Sequence, residues 1–175
     1  MNKMSLRLVF VCLVWSIYPL YSSAQSKINI MLDYHYLMGV SEIGEFNLSR
    51  KESKMYGNSL HFSVLYNIST QISAGVGVGA DRYDNPDYNT FPIFAAIHYA
   101  PIKKIREAYT YTNIGYAVID KNDTYSGRMW DIGIGYKKMF RTHLGVNFQI
   151  GYNLKQLEKI ERTRHSLSFG VGLIF

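Results

Sequence analysis

Apolar and polar residues alternate with period two through nearly the whole chain after residue 26, and no long stretch at helical spacing competes with this pattern. In KINIMLDYHYLMGVS, the apolar Ile28, Ile30, Leu32, Tyr34, Tyr36, Met38 and Val40 are set against Asn29, Asp33, His35, Gly39 and Ser41. In HLGVNFQIGYNL, Leu144, Val146, Phe148, Ile150, Tyr152 and Leu154 alternate with His143, Gly145, Asn147, Gln149, Gly151 and Asn153. Six further segments behave alike: MYGNSLHFSVLYNI, QISAGVGVGADRY, FPIFAAIHYA, AYTYTNIGYAVI, RMWDIGIGYKK and the final SLSFGVGLIF. Successive side chains of a strand point to opposite faces, so each segment predicts a strand with one apolar and one polar face. The chain therefore reads as all-β, with eight strands.

The connections fall into two kinds. Those near 42–54, 84–90, 120–127 and 155–164 are polar and charged, as in DNPDYN and DKNDTYSG, whereas those near 69–70, 101–107 and 139–142 tend to be shorter. Alternating long and short connections predict an antiparallel up-and-down meander, and an even strand number lets it close. No internal repeat or linker interrupts the series.

Glycine decides which face is the inner one. Twelve of the fourteen glycines fall on the polar face, among them Gly75, Gly77, Gly79, Gly133, Gly135, Gly170 and Gly172. An eight-stranded barrel has an interior just wide enough for side chains, so the face rich in small residues belongs inside. The bulky face, with Tyr34, Tyr36, Phe62, Tyr66, Tyr99, Trp130, Tyr136, Phe148, Tyr152 and Phe175, then turns outward. In water it would form an apolar patch far beyond what soluble monomers expose. Lipid suits such a wall, and closure satisfies the backbone there. The alternative is a soluble, lipocalin-like periplasmic binder with the apolar face turned inward.

The first 24 residues predict a secretory signal peptide, with Lys3 and Arg7 at the start, an apolar run from Leu8 to Tyr18, and small residues at Ser22 and Ala24. Residues 25–175 would form the barrel domain. The single cysteine, Cys12, lies in the leader, so the exported chain is expected to lack disulfides. The formal net charge of +6 includes the two leader cations, and no continuous basic stripe predicts a nucleic-acid partner.

The leader, the eight alternating strands, and a last strand with Phe169, Val171, Leu173 and Phe175 at every second position resemble small outer-membrane β-barrels of the OmpA/OmpX type. Such proteins belong to Gram-negative bacteria, the Bacteroidetes group among them. The resemblance covers the whole mature chain and carries no catalytic motif. It implies an eight-stranded transmembrane β-barrel in the bacterial outer membrane, with a structural or surface-interaction role in adhesion or envelope integrity. It also implies a monomer whose partners are outer-membrane lipid, lipopolysaccharide and the barrel-assembly machinery, for which Phe169, Val171, Leu173 and Phe175 are the assembly signal.

Chemistry inside the barrel is a second possibility. His35, His61, His98 and His143 share the inner face with Asp33, Asp81, Asp131 and Lys137. A symmetric first hairpin would set His35 opposite His61 and Asp33 opposite Ser63. Carboxylate, imidazole and hydroxyl would then meet on one surface, as a lipid A deacylase or acyltransferase needs. The competing reading is a lumen whose polar residues satisfy one another. No metal or cofactor is expected, because the histidines lie on four strands with no i, i+2 pair. The connections carry Glu42, Glu45, Arg50, Lys51, Glu52 and Lys54 in the first, and Lys155, Lys159, Arg162 and Arg164 in the last. These cations are candidates for lipopolysaccharide phosphates or for plain solvated loop charge.

Overall fold

The computed structural model describes residues 27–44, 47–51, 54–141 and 144–175. The predicted leader, Glu45, Glu52 and His143 lie outside the described residues.

Eight long strands form the wall: β1 (Ile28–Ile43), β3 (Tyr56–Asn67), β4 (Ile72–Asp84), β6 (Pro92–Tyr99), β7 (Ala108–Ala117), β8 (Gly127–Arg141), β9 (Leu144–Leu157) and β10 (Arg162–Ile174). Two short strands, β2 (Leu48–Ser49) and β5 (Tyr88–Thr90), fold back on β1 and β4 from the connections. Each long strand pairs antiparallel with its neighbour in sequence, and β10 pairs with β1 to close the ring. Closure removes the free edges that an open sheet would leave. At the seam, Ile30 N donates to Phe175 O at 3.1 Å and Phe175 N donates to Ile30 O at 2.8 Å.

The chain is an all-β, closed eight-stranded antiparallel barrel, and its faces follow the alternation. All ten aromatics of the predicted outer face, from Tyr34 to Phe175, are exposed on the wall. A ligand-carrying soluble barrel would have the opposite polarity, with an apolar lining around an empty centre. Here the centre is filled, and much of the filling is polar.

Two mouths can be told apart. The lower one holds the start of β1, the end of β10, the connections at 68–71 and 100–107, the end of β8 and the start of β9; the upper holds the other four connections. Three of those four contain seven to twelve residues, but β9 to β10 takes only four. The sequence predicts a loop over 155–164; instead the two strands run on as a long hairpin.

The interior differs from the expectation of small residues alone. Tyr83, Tyr88, Phe94, Tyr109 and Tyr111 all point in and are buried. Glycines on the strands beside them make their sockets: a Cβ on Gly135 of the adjacent β8 would overlap the Tyr109 ring, and one on Gly151 of β9 would overlap the Tyr111 hydroxyl. Small and large inner residues thus interlock along the inner wall, as close packing in a small barrel demands.

Candidate functional site

The barrel is densest in chemistry in its upper half, where Asp81 of β4 is the hub. Its Oδ1 accepts from Ser59 Oγ at 2.5 Å and lies 3.0 Å from His61 Nε2. Its Oδ2 accepts from Thr90 Oγ1 at 2.8 Å and lies 2.6 Å from Lys155 Nζ. The ammonium is its ion-pair partner. Asp81 and Lys155 side chains are each 1% exposed, so the charges face each other without water between the walls. Burying one such charge alone is very costly, which explains why Asp81 is held by four partners rather than one.

Around this hub the other inner residues are linked in turn. His35 Nδ1 lies 2.9 Å from Ser168 Oγ, and the His35 and His61 ring centroids are 5.5 Å apart. Asp33 accepts from Asn147 Nδ2 at 2.8 Å, Asn147 accepts from the Tyr109 hydroxyl at 2.5 Å, and that hydroxyl accepts from Gln149 Nε2 at 3.0 Å. Asn153 Nδ2 donates to Asp131, and Tyr83 OH donates to Asn153 Oδ1 at 3.2 Å. These bonds run mostly between strands that are not neighbours, so they tie one wall of the barrel to another.

Nearer the upper mouth, Glu42 meets two cations. Arg162 Nη1 donates to its Oε1 at 3.3 Å, and Arg164 Nη1 stands 3.5 Å from its Oε2. Arg164 is fully buried; its Nη2 donates to the carbonyls of Tyr56 at 2.9 Å and Asp84 at 3.1 Å, and its guanidinium lies over the Tyr83 ring at 5.0 Å. Glu42 reaches the lumen because β1 bulges between Gly39 and Ser41, which flips the faces of the residues that follow.

The sequence-predicted constellation is only partly assembled. Asp33, His35, His61 and Ser63 are all buried on the inner face. The register, however, pairs Asp33 with His61 and His35 with Ser59, while Ser63 stands opposite Met31 and Gly77. The hairpin is centred one residue earlier than a symmetric loop would be, because β2 folds back on Ser41–Glu42 and takes up chain on one side. A shift of two in pairing keeps every side chain on its face, so the alternation does not reveal it. The serine and carboxylate at His61 are therefore Ser59 and Asp81, with Ser59 Oγ 2.7 Å from His61 Nε2.

That trio is not arranged as a relay. A hydrolytic triad places the carboxylate on one ring nitrogen and the hydroxyl on the other, so that a proton can pass through the imidazole. Here both partners sit on Nε2, and the hydroxyl gives its own proton to the carboxylate. The geometry suits mutual satisfaction of buried groups. Among the described residues, no three His, Cys, Asp or Glu side chains gather as metal ligands.

The cations of the last connection are also redistributed. Lys155 and Arg164, expected from the sequence in a loop, are inside the barrel and paired, so neither reaches an external phosphate. Lys159 stays at the surface, 3.2 Å from Asp120, and Arg162 is partly covered. Phe169, Val171, Leu173 and Phe175 face outward on β10 and its end as a continuous apolar row.

The fold and its polarity define the class of closed eight-stranded antiparallel barrels with an apolar wall and a polar lumen. No protein-family model matches the chain, and no curated protein matches it. Among solved structures it is similar to Ail, the attachment invasion locus protein of Yersinia pestis, solved in complex with the heparin analogue sucrose octasulfate. Identity is 8%, the match covers 85% of this chain and 99% of that one, and the TM-score is 0.51. Neisserial surface protein A is 16% identical over 83% of this chain and 95% of that chain, with a TM-score of 0.49. A de novo designed transmembrane β-barrel is 12% identical over 83% and 95%, with a TM-score of 0.44. At such identities the likeness to Ail establishes the shared fold alone.

Proposed function

We propose that the protein is an integral barrel of the bacterial outer membrane, of the OmpA/OmpX type, with a structural or surface-interaction role in adhesion or envelope integrity. The observation that carries this reading is the contrast between wall and lumen. The wall is a predominantly apolar and aromatic cylinder, which lipid solvates at far lower cost than water. The lumen is cross-linked by buried ion pairs and tyrosines, which leaves the loops and rims to meet partners. In this reading the upper mouth faces the medium and the lower mouth the periplasm. The attachment role that Ail's name records is here proposed for the upper connections, where Arg50, Lys51 and Lys54 stand exposed. Lipopolysaccharide and outer-membrane lipid are the proposed surroundings, and the barrel-assembly machinery the proposed partner of β10.

The test is fractionation of cells expressing the full chain, followed by electrophoresis of the outer-membrane fraction in detergent with and without boiling. A heat-dependent mobility shift in that fraction is the expected result. Recovery as a soluble periplasmic protein without a shift would overturn the reading. Trypsin added to intact cells should cut after Arg50 or Lys51, which checks the orientation independently.

A further inference from the structure

The lower mouth holds a cavity of about 430 Å³, within the range of small-ligand sites, and its lining is electrically one-sided. Lys27 just before β1, Arg106 in the 100–107 connection and Lys137 on β8 all line it, and among the described residues no carboxylate does. Among the described residues none of the three forms an ion pair, although six Lys or Arg side chains elsewhere in the barrel, Arg82, Arg128, Lys155, Lys159, Arg162 and Arg164, each find a carboxylate. Glu107 is the nearby exception in charge. It lies instead in the adjoining crevice beside Arg106, Lys137 and Lys138. The same connection adds Lys103 and Lys104, both exposed, to the positive rim.

The uncharged lining complements this. Ser69 Oγ accepts the backbone N–H groups of Gln71 at 3.2 Å and Ile72 at 3.0 Å, so its own proton is left to donate. His98 stacks on Tyr109, centroids 4.7 Å apart, and the two rings make a flat inner end to the cavity. Like charges gathered round one concavity repel each other, and low-dielectric walls concentrate their field. An anion placed among them removes that repulsion and gains charge-assisted hydrogen bonds.

We infer that the cavity at the lower mouth is a binding site for a phosphate-bearing anion, gripped by Lys27, Arg106 and Lys137. The phosphate is carried either by a small soluble molecule or by a phospholipid headgroup that folds in over the rim.

The test uses the mature chain refolded in zwitterionic nanodiscs and inorganic phosphate as the first probe, followed by amide NMR. Saturable shifts at Thr70, Gln71 and Arg106 are expected, absent with chloride at equal ionic strength. The double variant R106Q/K137Q should weaken binding at least tenfold, while K159Q at the opposite mouth leaves it unchanged. The double variant should also unfold no more easily than the wild type, since neither cation forms an ion pair or side-chain hydrogen bond among the described residues and Glu107 keeps Lys138 beside it; this separates lost binding from lost structure. If phosphate has no effect but nanodiscs containing phosphatidylglycerol shift the same residues, the headgroup is the source. No saturable shift with either probe, or equal shifts in wild type and R106Q/K137Q, overturns the site.

Discussion

Lys155 on β9 and Asp81 on β4 stand four places apart round an eight-strand ring, directly across the barrel, and their charged atoms are 2.6 Å apart. Tyr83 OH and Asn153 Oδ1 join the same two strands at 3.2 Å. A lumen bridged along its diameter is a strut rather than a channel. Removing one partner strands the other charge in a dry interior, which typically costs about 3–5 kcal/mol. Lys155→Met should therefore lower the urea unfolding midpoint of the reconstituted barrel sharply, and Asp81→Asn should do the same. The double variant should recover most of the loss, because neither charge is then orphaned. A double variant as weak as the sum of its singles would show that the pair has no coupling.

Much of this arrangement is legible in the sequence. Parity places Lys155 with Asn153 and Gly151, and Arg164 with Ser166 and Gly170, all on the inner face. Their charge is what suggests a loop, since a lone lysine or arginine in a strand looks misplaced until its partner is known. Those partners, Asp81 and Glu42, are distant in sequence, and Glu42 turns inward only because of the bulge after Gly39. Alternation carries no information on a register shift of two, and the few residues of β1 that follow the bulge are too short a run to reveal its change of phase. It determines strand number, wall polarity and most of the inward set, but leaves the pairing of His61 with Ser59 and Asp81 to the hairpin geometry.

The glycine sockets make a second prediction. The nearest atoms to a Cβ built on Gly135 all belong to Tyr109, with no backbone among them. Gly135→Ala should destabilise the folded barrel by about 1–3 kcal/mol through overpacking. Adding Tyr109→Leu should return a substantial part of that, whereas Tyr109→Leu alone should cost stability by leaving a cavity. Denaturation of the four-member cycle reads the coupling directly, and additive effects would exclude the socket.

Trp130 reports the wall. It faces outward on β8, 49% exposed, with Nε1 donating to Thr112 Oγ1 at 3.0 Å, and the only other tryptophan lies in the predicted leader. In bilayers its fluorescence should be quenched by lipids brominated on the acyl chain and protected from aqueous iodide. The reverse pattern would mean that this face of the barrel meets water, and the membrane reading would fall with it.

Phe175 separates folding from assembly. Its backbone closes the seam through both hydrogen bonds to Ile30, while its side chain lies on the outer wall and packs nothing in the lumen. Phe175→Ala keeps the backbone bonds, so the refolded barrel should unfold within about 0.5 kcal/mol of the wild type. If the row Phe169, Val171, Leu173 and Phe175 is the signal read during insertion, the same variant should lose several-fold of its outer-membrane level in cells and accumulate unassembled. Equal loss in vitro and in cells would make the ring a packing element instead. A normal level in cells would remove Phe175 from the signal and leave the apolar row as wall alone.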